Sequence, residues 1–401
     1  MADFDLLIVG GGLATARAVK AFREAGADGS VAVVSKDRWV PYHRPPLSKR
    51  YLRGEQEREA AFVEQPGFYD EQRVELLLET TVERVLPAEH RVELAGGRAL
   101  SYGKLLLASG AWPRQLPVPG GDLDGVLTLR TIDNSTAIRE AAEAGRQAVV
   151  VGAGFIGMEV SASLRELDVA VAQVHRGSGL FDQFGCAELS EFLVELYRTN
   201  GVELFLEDEA SRLRGNGRVD AVETKGGELL EADFVVAGVG VDPQTAFLDG
   251  SGIEVSNGIV VDDRFRTSAP DVLAAGDVAN FHDPLFERQR RIEHWSNANY
   301  QGTQVGKALA GDGEGRFDTV STFFTEVFGT TFKVFGDITR SDEITTRGSF
   351  SDGKAIAYYL DGGRFVGALL TGQDEETEQQ LKDGIAARGG IPAELTADKQ
   401  R

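Results

Sequence analysis

Two stretches of this chain carry residue types whose spacing suits the holding of a nucleotide. The stronger is residues 149–159, VVVGAGFIGME, where an apolar run ends in Gly152, Gly154 and Gly157 and a helical pattern follows at once. A glycine in the first place allows a tight turn, and one in the second lets the backbone approach a pyrophosphate. The third lets helix and strand pack closely, and the helix N-terminus adds partial positive charge. Residues 6–15, LLIVGGGLAT, repeat the arrangement with Gly10 and Gly12 in place. Thr15 stands where the third glycine would, small enough to permit fairly close packing. Leu13 and Ala14 follow the first turn as Phe155 and Ile156 follow the second, so these residues join the candidate phosphate-facing segments. Two dinucleotide turns mean two nucleotides, which suggests a flavoprotein reductase.

The elements that must position these turns are those of an ordinary globular protein. A chain of 401 residues, 42% hydrophobic and 26% charged, has room for two or three domains. A net charge of −21 weighs against nucleic acid or an anionic membrane as partner. Cys186 is the only cysteine, which excludes an intramolecular disulfide, a CxxC redox pair, a cysteine-ligated cluster and a cysteine zinc site, and no metal is expected. The strand pattern starts by Asp5 and no apolar run approaches membrane length, so a cytoplasmic location is expected.

In chain order, residues 5–9 read as a buried strand, 13–25 as a helix and 30–34 as the second strand of a βαβ unit. An acid at that strand's end would grip an adenosine ribose. Asp37 is a candidate, and a solvated turn carboxylate is an equal alternative. Residues 40–54, VPYHRPPLSKRYLRG, hold Pro41, Pro45 and Pro46, a stiff extended approach to a helix expected from Leu47 or Ser48. Arg44 and Lys49 would project from it; read alone, the stretch is a surface loop with solvated charges. Strands are expected at 74–78 and 82–85, a hairpin over 89–100, and helices at 132–144 and 190–199. Further strands fall at 169–174, 202–205 and 219–222. Counted from Gly154, the ribose-reading position falls on His175, with Arg176 beside it. An acid there would accept from the 2′-hydroxyl of NADH, whereas a guanidinium suits a phosphate monoester. The expectation therefore tilts to NADPH or loose cofactor choice; a solvated Arg176 and NADH use is the alternative. Alternating strands at 322–328, 331–336, 355–360 and 364–370, a helix over 375–387 and a fraying polar tail complete the chain.

PYHRPPLSK (41–49) resembles the signature of the oxygenase-coupled ferredoxin reductases, the family of putidaredoxin and rubredoxin reductases, to which monodehydroascorbate reductase and apoptosis-inducing factor are related. YGKLLLASGAWPR (102–114), VLTLR (126–130), ADFVVAGVGV (232–241), VLAAGDVAN (272–280) and RIEHWSNANYQG (291–302) resemble further family segments in the same order. The resemblance spans essentially the whole chain. It implies an α/β flavoprotein of the glutathione-reductase-like fold, with two Rossmann-like dinucleotide-binding domains and a small α+β C-terminal domain. The implied domains are 1–111 with 245–317 for FAD, 112–244 for NAD(P)H and 318–401 as a C-terminal interface domain.

On the flavin side it implies Arg44, Pro45, Lys49, Val82, Ser109 and Gly110, with Arg130 on the pyrophosphate. Asp277, following Gly276, would bind the ribityl chain, and Trp295 would pack by the isoalloxazine. A helix-capping Asp277 and a core Trp295 are the plainer readings. On the NAD(P)H side it implies the second turn with Glu159, His175 and Arg176, and the junction Gly238, Val239 and Gly240. Lys49 and Glu159 are the catalytic candidates, an ion pair that nicotinamide binding loosens in the family; a solvated first-turn carboxylate is the alternative for Glu159. The implied activity passes hydride from NAD(P)H to FAD, then single electrons to a [2Fe–2S] ferredoxin or rubredoxin serving an oxygenase or cytochrome P450.

Alternatives are a small-molecule reductase of the monodehydroascorbate or quinone type, toward which FFTEVFGTTFKVFGD (323–337) departs, and a redox-gated interaction protein resembling apoptosis-inducing factor. The chain would be a monomer or homodimer. An acidic ferredoxin needs a basic patch on so acidic a reductase, and Arg288, Arg290 and Arg291, with Arg44, Lys49 and Arg50, are the candidates. As a surface charge run the first cluster is also ordinary.

Overall fold

Apolar runs such as LLIV, VAVV, AVVV and FVVA, with no polar alternation, suit strands buried on both faces, and in this chain they are the parallel strands. The computed structural model describes residues 2–396, and the far end of the polar tail lies outside them. Two compact units emerge. The first comprises the chain up to Arg44, Arg58–Trp112 and Val241–Thr319; the second comprises Pro45–Glu57, Pro113–Gly240 and the chain from Val320 onward.

In the first unit Phe4–Val9 pairs in parallel with Val31–Val34 on one side and Ala99–Leu107 on the other. Val74–Leu77 and Val272–Ala274 extend this parallel layer outward. Ala99–Leu107 is long enough to serve a second purpose: its start pairs antiparallel with Arg91–Leu94, which pairs with Val82–Leu86. Helices Leu13–Glu24 and Trp295–Ala310 cross closely because small residues line the contact. A methyl on Gly302 would sit 2.4 Å from the Ala14 carbonyl oxygen, and one on Gly306 2.4 Å from that of Ala18. A second sheet of Ile259–Val261, Ala279–Asp283 and Arg288–Arg291 is not foreseen by the sequence pattern, since its outer strand is almost wholly charged.

The second unit has its own parallel sheet, ordered Val202–Leu206, Ala170–His175, Gln147–Val151, Phe234–Ala237 and Val126–Leu127. Its antiparallel sheet runs Thr322–Val327, Thr330–Gly336, Arg364–Thr371, Lys354–Asp361 and Glu343–Ser349. Within this unit the antiparallel sheet packs on the second glycine-turn helix, Phe155–Glu166: the rings of Phe155 and Phe323 meet edge to face at 5.1 Å. Helix Glu375–Ala386 is capped by Asp374, whose carboxylate accepts from the Thr377 N–H at 2.8 Å, and Glu375, Glu376 and Glu378 in its first turn favour the helix dipole.

The helix expected from Leu47 or Ser48 is only a 3-10 turn, Pro45–Ser48. Two carbonyls that a continuing α-helix would use are taken by tertiary bonds: Ser135 Oγ donates to Leu47 O at 2.6 Å, and Ser163 Oγ to Ser48 O at 2.7 Å. Strands Ala210–Gly215, Leu229–Glu231 and Glu343–Ser349 are also absent from the sequence reading. Their apolar content is too thin to show a period.

Candidate functional site

Each glycine turn is built by steric exclusion. Gly10 has φ +119°, and a methyl there would lie 2.1 Å from the Ala108 carbonyl oxygen. Thr15 is tolerated at the third place because its hydroxyl turns inward, donating to Gly10 O at 2.6 Å. Gly152 has φ +105°, and its added methyl would meet Gly238 O at 2.4 Å; one on Gly157 would meet Gly152 O at 2.2 Å. The segment Gly238, Val239 and Gly240 thus lies beside the second turn, where Arg114 N–H donates to Gly240 O.

Both helices that follow begin without a side-chain cap, at Gly12 and Gly154. In front of Gly154 no heavy atom lies within 4 Å of the place a Cβ would take; in front of Gly12 the nearest is Arg44 Nη1 at 3.4 Å. Free N–H groups facing open space at a helix N-terminus fit a pyrophosphate. Leu13, Ala14 and Thr15 are buried beneath the first helix start, whereas Ile156 is 37% exposed beside Phe155 at the second.

Other flavin-side candidates of the first unit fall on strand ends and turns. Asp37 lies just past Val31–Val34; its carboxylate accepts from Tyr42 Oη at 2.5 Å and from Trp39 N–H at 3.2 Å. Ser109 Oγ donates to Gln244 O at 2.8 Å, and the adjacent Gly110 has φ +70°. Val82 opens its strand, nearly buried. Gly276, φ +80°, donates its N–H to Gln301 Oε1 at 2.8 Å, which fixes the turn that carries Asp277. Trp295 starts the long helix and donates its indole N–H to His43 Nδ1 at 2.9 Å. Sequence reasoning missed His43: nothing local announces a partner 252 residues away. Burial, followed by the charge of Arg17, lowers the His43 imidazole below its ordinary range, and burial pushes His294 down to about 4.

In the second unit Lys49 Nζ stands 2.5 Å from Glu159 Oε1, with both side chains largely enclosed. Two hydroxyls complete the carboxylate shell: Ser48 Oγ donates to Oε2 at 2.5 Å and Thr325 Oγ1 to Oε1 at 2.7 Å. Ser48 was detectable only as the neighbour of Lys49, and Thr325 carried no signal, being brought in by the C-terminal sheet. Arg130 follows Val126–Leu127, its N–H donating to Asn134 Oδ1 at the start of helix Ile132–Ala144.

At the end of Ala170–His175, His175 Nε2 lies 3.4 Å from Asp182 Oδ1. Arg176 is exposed. Backbone bonds from Glu207 N to Gly177 O and from Asp208 N to His175 O bring Glu207, Asp208 and Glu209 against the same strand end. Lys225, by hydrogen bond and charge, and then Arg176 by charge, hold the Glu209 carboxyl below its usual range.

The basic run before IEHW is not a free patch. Arg290 pairs with Asp283 at 2.7 Å, both enclosed, and Arg291 pairs with Glu293 and donates to Asp277 O at 3.2 Å. A guanidinium in the interior needs such partners, and that demand outweighs any exposure suggested by three near-adjacent charges.

Residues 4–302 match the pyridine nucleotide-disulphide oxidoreductase family, and the chain belongs to it. It is 31% identical to putidaredoxin reductase of Pseudomonas putida over 99% of this chain and 95% of that protein. It is 32% identical to monodehydroascorbate reductase of Solanum lycopersicum over 95% and 94%. The reductase in a solved covalent putidaredoxin reductase–putidaredoxin complex superposes with a TM-score of 0.94 at 31% identity, covering 100% of this chain and 97% of that one. The fold is accordingly that of the glutathione-reductase-like flavoproteins, and the protein is an oxidoreductase that uses FAD and NAD(P)H in electron transfer. No helix among the described residues is long and apolar enough to cross a membrane.

Proposed function

We propose that the chain is an NADH-dependent reductase that passes electrons to a [2Fe–2S] ferredoxin serving an oxygenase or cytochrome P450. The observation that carries this is the end-to-end likeness to a reductase solved with putidaredoxin, in a chain with one cysteine and hence no disulfide relay. FAD, when bound, supplies the chemistry that accepts hydride from a nicotinamide and releases electrons one at a time.

In this reading residues 1–111 and 245–317 hold FAD. The first turn, with Arg44, faces its pyrophosphate; Asp37 and Val82 serve the adenosine end, with Ser109 and Gly110; Asp277 and Trp295 serve the ribityl chain and flavin ring. Residues 112–244 hold NADH through Gly152, Gly154, Phe155, Ile156, Gly157 and the segment 238–240, and 318–401 form the third domain. Glu159, an acceptor, matches the carboxamide N–H of a nicotinamide, and Lys49 is the cation that gives way to it.

The surroundings of Arg176 support NADH in place of the NADPH toward which the sequence tilts. Asp182, Glu207, Asp208 and Glu209 gather at the strand end against Arg176 and Lys225, a field that disfavours a 2′-phosphate. Stopped-flow flavin reduction with NADH and NADPH, followed by cytochrome c reduction with and without ferredoxin, tests both parts. No stimulation by ferredoxin would turn the reading to small acceptors, the class favoured by the likeness to monodehydroascorbate reductase.

A further inference from the structure

Glu159 is almost fully buried at 6% exposure, yet three donors converge on it. A carboxylate offers about four acceptor positions. Lys49 and Thr325 take two on Oε1, and Ser48 takes one on Oε2.

The three donors differ in how they are held. Ser48 is 1% exposed at the end of the Pro45–Ser48 turn, and its carbonyl accepts from Ser163 Oγ of the helix that carries Glu159. Thr325 is 2% exposed in strand Thr322–Val327, paired opposite Phe332. Each reaches the carboxylate through a short side chain on a fixed backbone, and the β-branch of Thr325 stiffens it further. Lys49 reaches it through four rotatable methylenes. When a nicotinamide carboxamide competes for Oε1, the lysine is the partner free to leave.

A buried carboxylate whose cation moves away is costly unless hydrogen bonds hold it. We infer that Thr325, with Ser48, is a positioning residue that keeps the Glu159 carboxylate in place while Lys49 yields to the nicotinamide. This rests on Glu159 being the carboxamide acceptor. On that footing Glu159 is the fixed half of the ion pair and Lys49 the moving half.

The test uses the flavin-loaded protein and stopped-flow reduction by NADH. Thr325→Val removes the hydroxyl at nearly constant volume, and Thr325→Ser restores it. The expected result is a roughly tenfold lower limiting rate for Thr325→Val, about one hydrogen bond's worth, with dinucleotide Kd within a factor of about three and recovery to within about twofold in Thr325→Ser. With reduced 3-acetylpyridine adenine dinucleotide, which has no carboxamide N–H, the same pair should differ by less than about twofold. Equal slowing with both dinucleotides, no slowing, or a Thr325→Ser variant as slow as Thr325→Val would overturn the inference. Should Thr325→Val fail to retain flavin, Ser48→Ala carries the same comparison on Oε2. If the unaltered protein is reduced by neither NADH nor NADPH, it is the proposed function that falls, before this inference is reached.

Discussion

Trp295 and His43 are joined by a single bond, indole N–H to imidazole Nδ1, at 2.9 Å. The acceptor role requires that Nδ1 carry no proton, in agreement with the burial that lowers the His43 pKa. Phenylalanine at 295 would keep the ring but remove the donor. We expect Trp295→Phe to lose about 1 kcal/mol of stability and to perturb the flavin absorption band. Calorimetry on the flavin-loaded protein checks it, and an unchanged unfolding midpoint would mean the bond contributes nothing.

The two nucleotide turns answer differently to one methyl group. Gly154 has φ −74° and no atom within 4 Å of the added Cβ, so Gly154→Ala should fold normally. The methyl occupies the space assigned to the NADH pyrophosphate, and the Kd for NADH should rise at least tenfold with FAD content intact. Gly10→Ala meets both positive φ and a carbonyl at 2.1 Å, and should cost several kcal/mol and most of the bound flavin. Equilibrium titration and flavin-to-protein ratios separate these outcomes.

Arg290→Ala should behave as a stability variant, not a docking variant. It leaves Asp283, 1% exposed, without its guanidinium, a change of roughly 3 kcal/mol. Thermal unfolding should shift down while the KM for ferredoxin stays within about twofold. A rise in that KM without loss of stability would restore the Arg288, Arg290 and Arg291 run as a docking patch.

His294 gives acid sensitivity a definite sign. Its imidazole, ordinarily near 6.5, is pushed down to about 4 by burial, with Arg290 reinforcing and Asp277 opposing. Between these values the unfolded chain binds the proton and the folded one does not, so this contribution is present above pH 6.5 and lost as pH falls toward 4. The loss is roughly 1–3 kcal/mol. Plotting unfolding free energy against pH for the unaltered protein and His294→Asn should show a shallower slope in the variant across that window.

The parallel strands around the two glycine turns, and the turns themselves, could be read from the chain because their signals are local: apolar runs that end in spaced glycines. The site was legible only where a motif is contiguous. Lys49 and Glu159 lie on such motifs, whereas Thr325 and His43 take on meaning only once distant segments meet. The charged strand Arg288–Arg291 misleads for the opposite reason: polarity along the chain signals solvent, but Asp283 neutralises Arg290 from the neighbouring strand. Asp182 was invisible as the neighbour of His175 because it arrives on a turn held by the packing of Phe155, Phe181 and Phe184.

Cys186 is 2% exposed, and burial raises its thiol pKa, so almost none of it is thiolate at neutral pH. The one thiol of the chain is therefore shielded from alkylating agents and from thiol–disulfide exchange in the folded protein. N-ethylmaleimide added to an assay should leave this chain unmodified for as long as it stays folded.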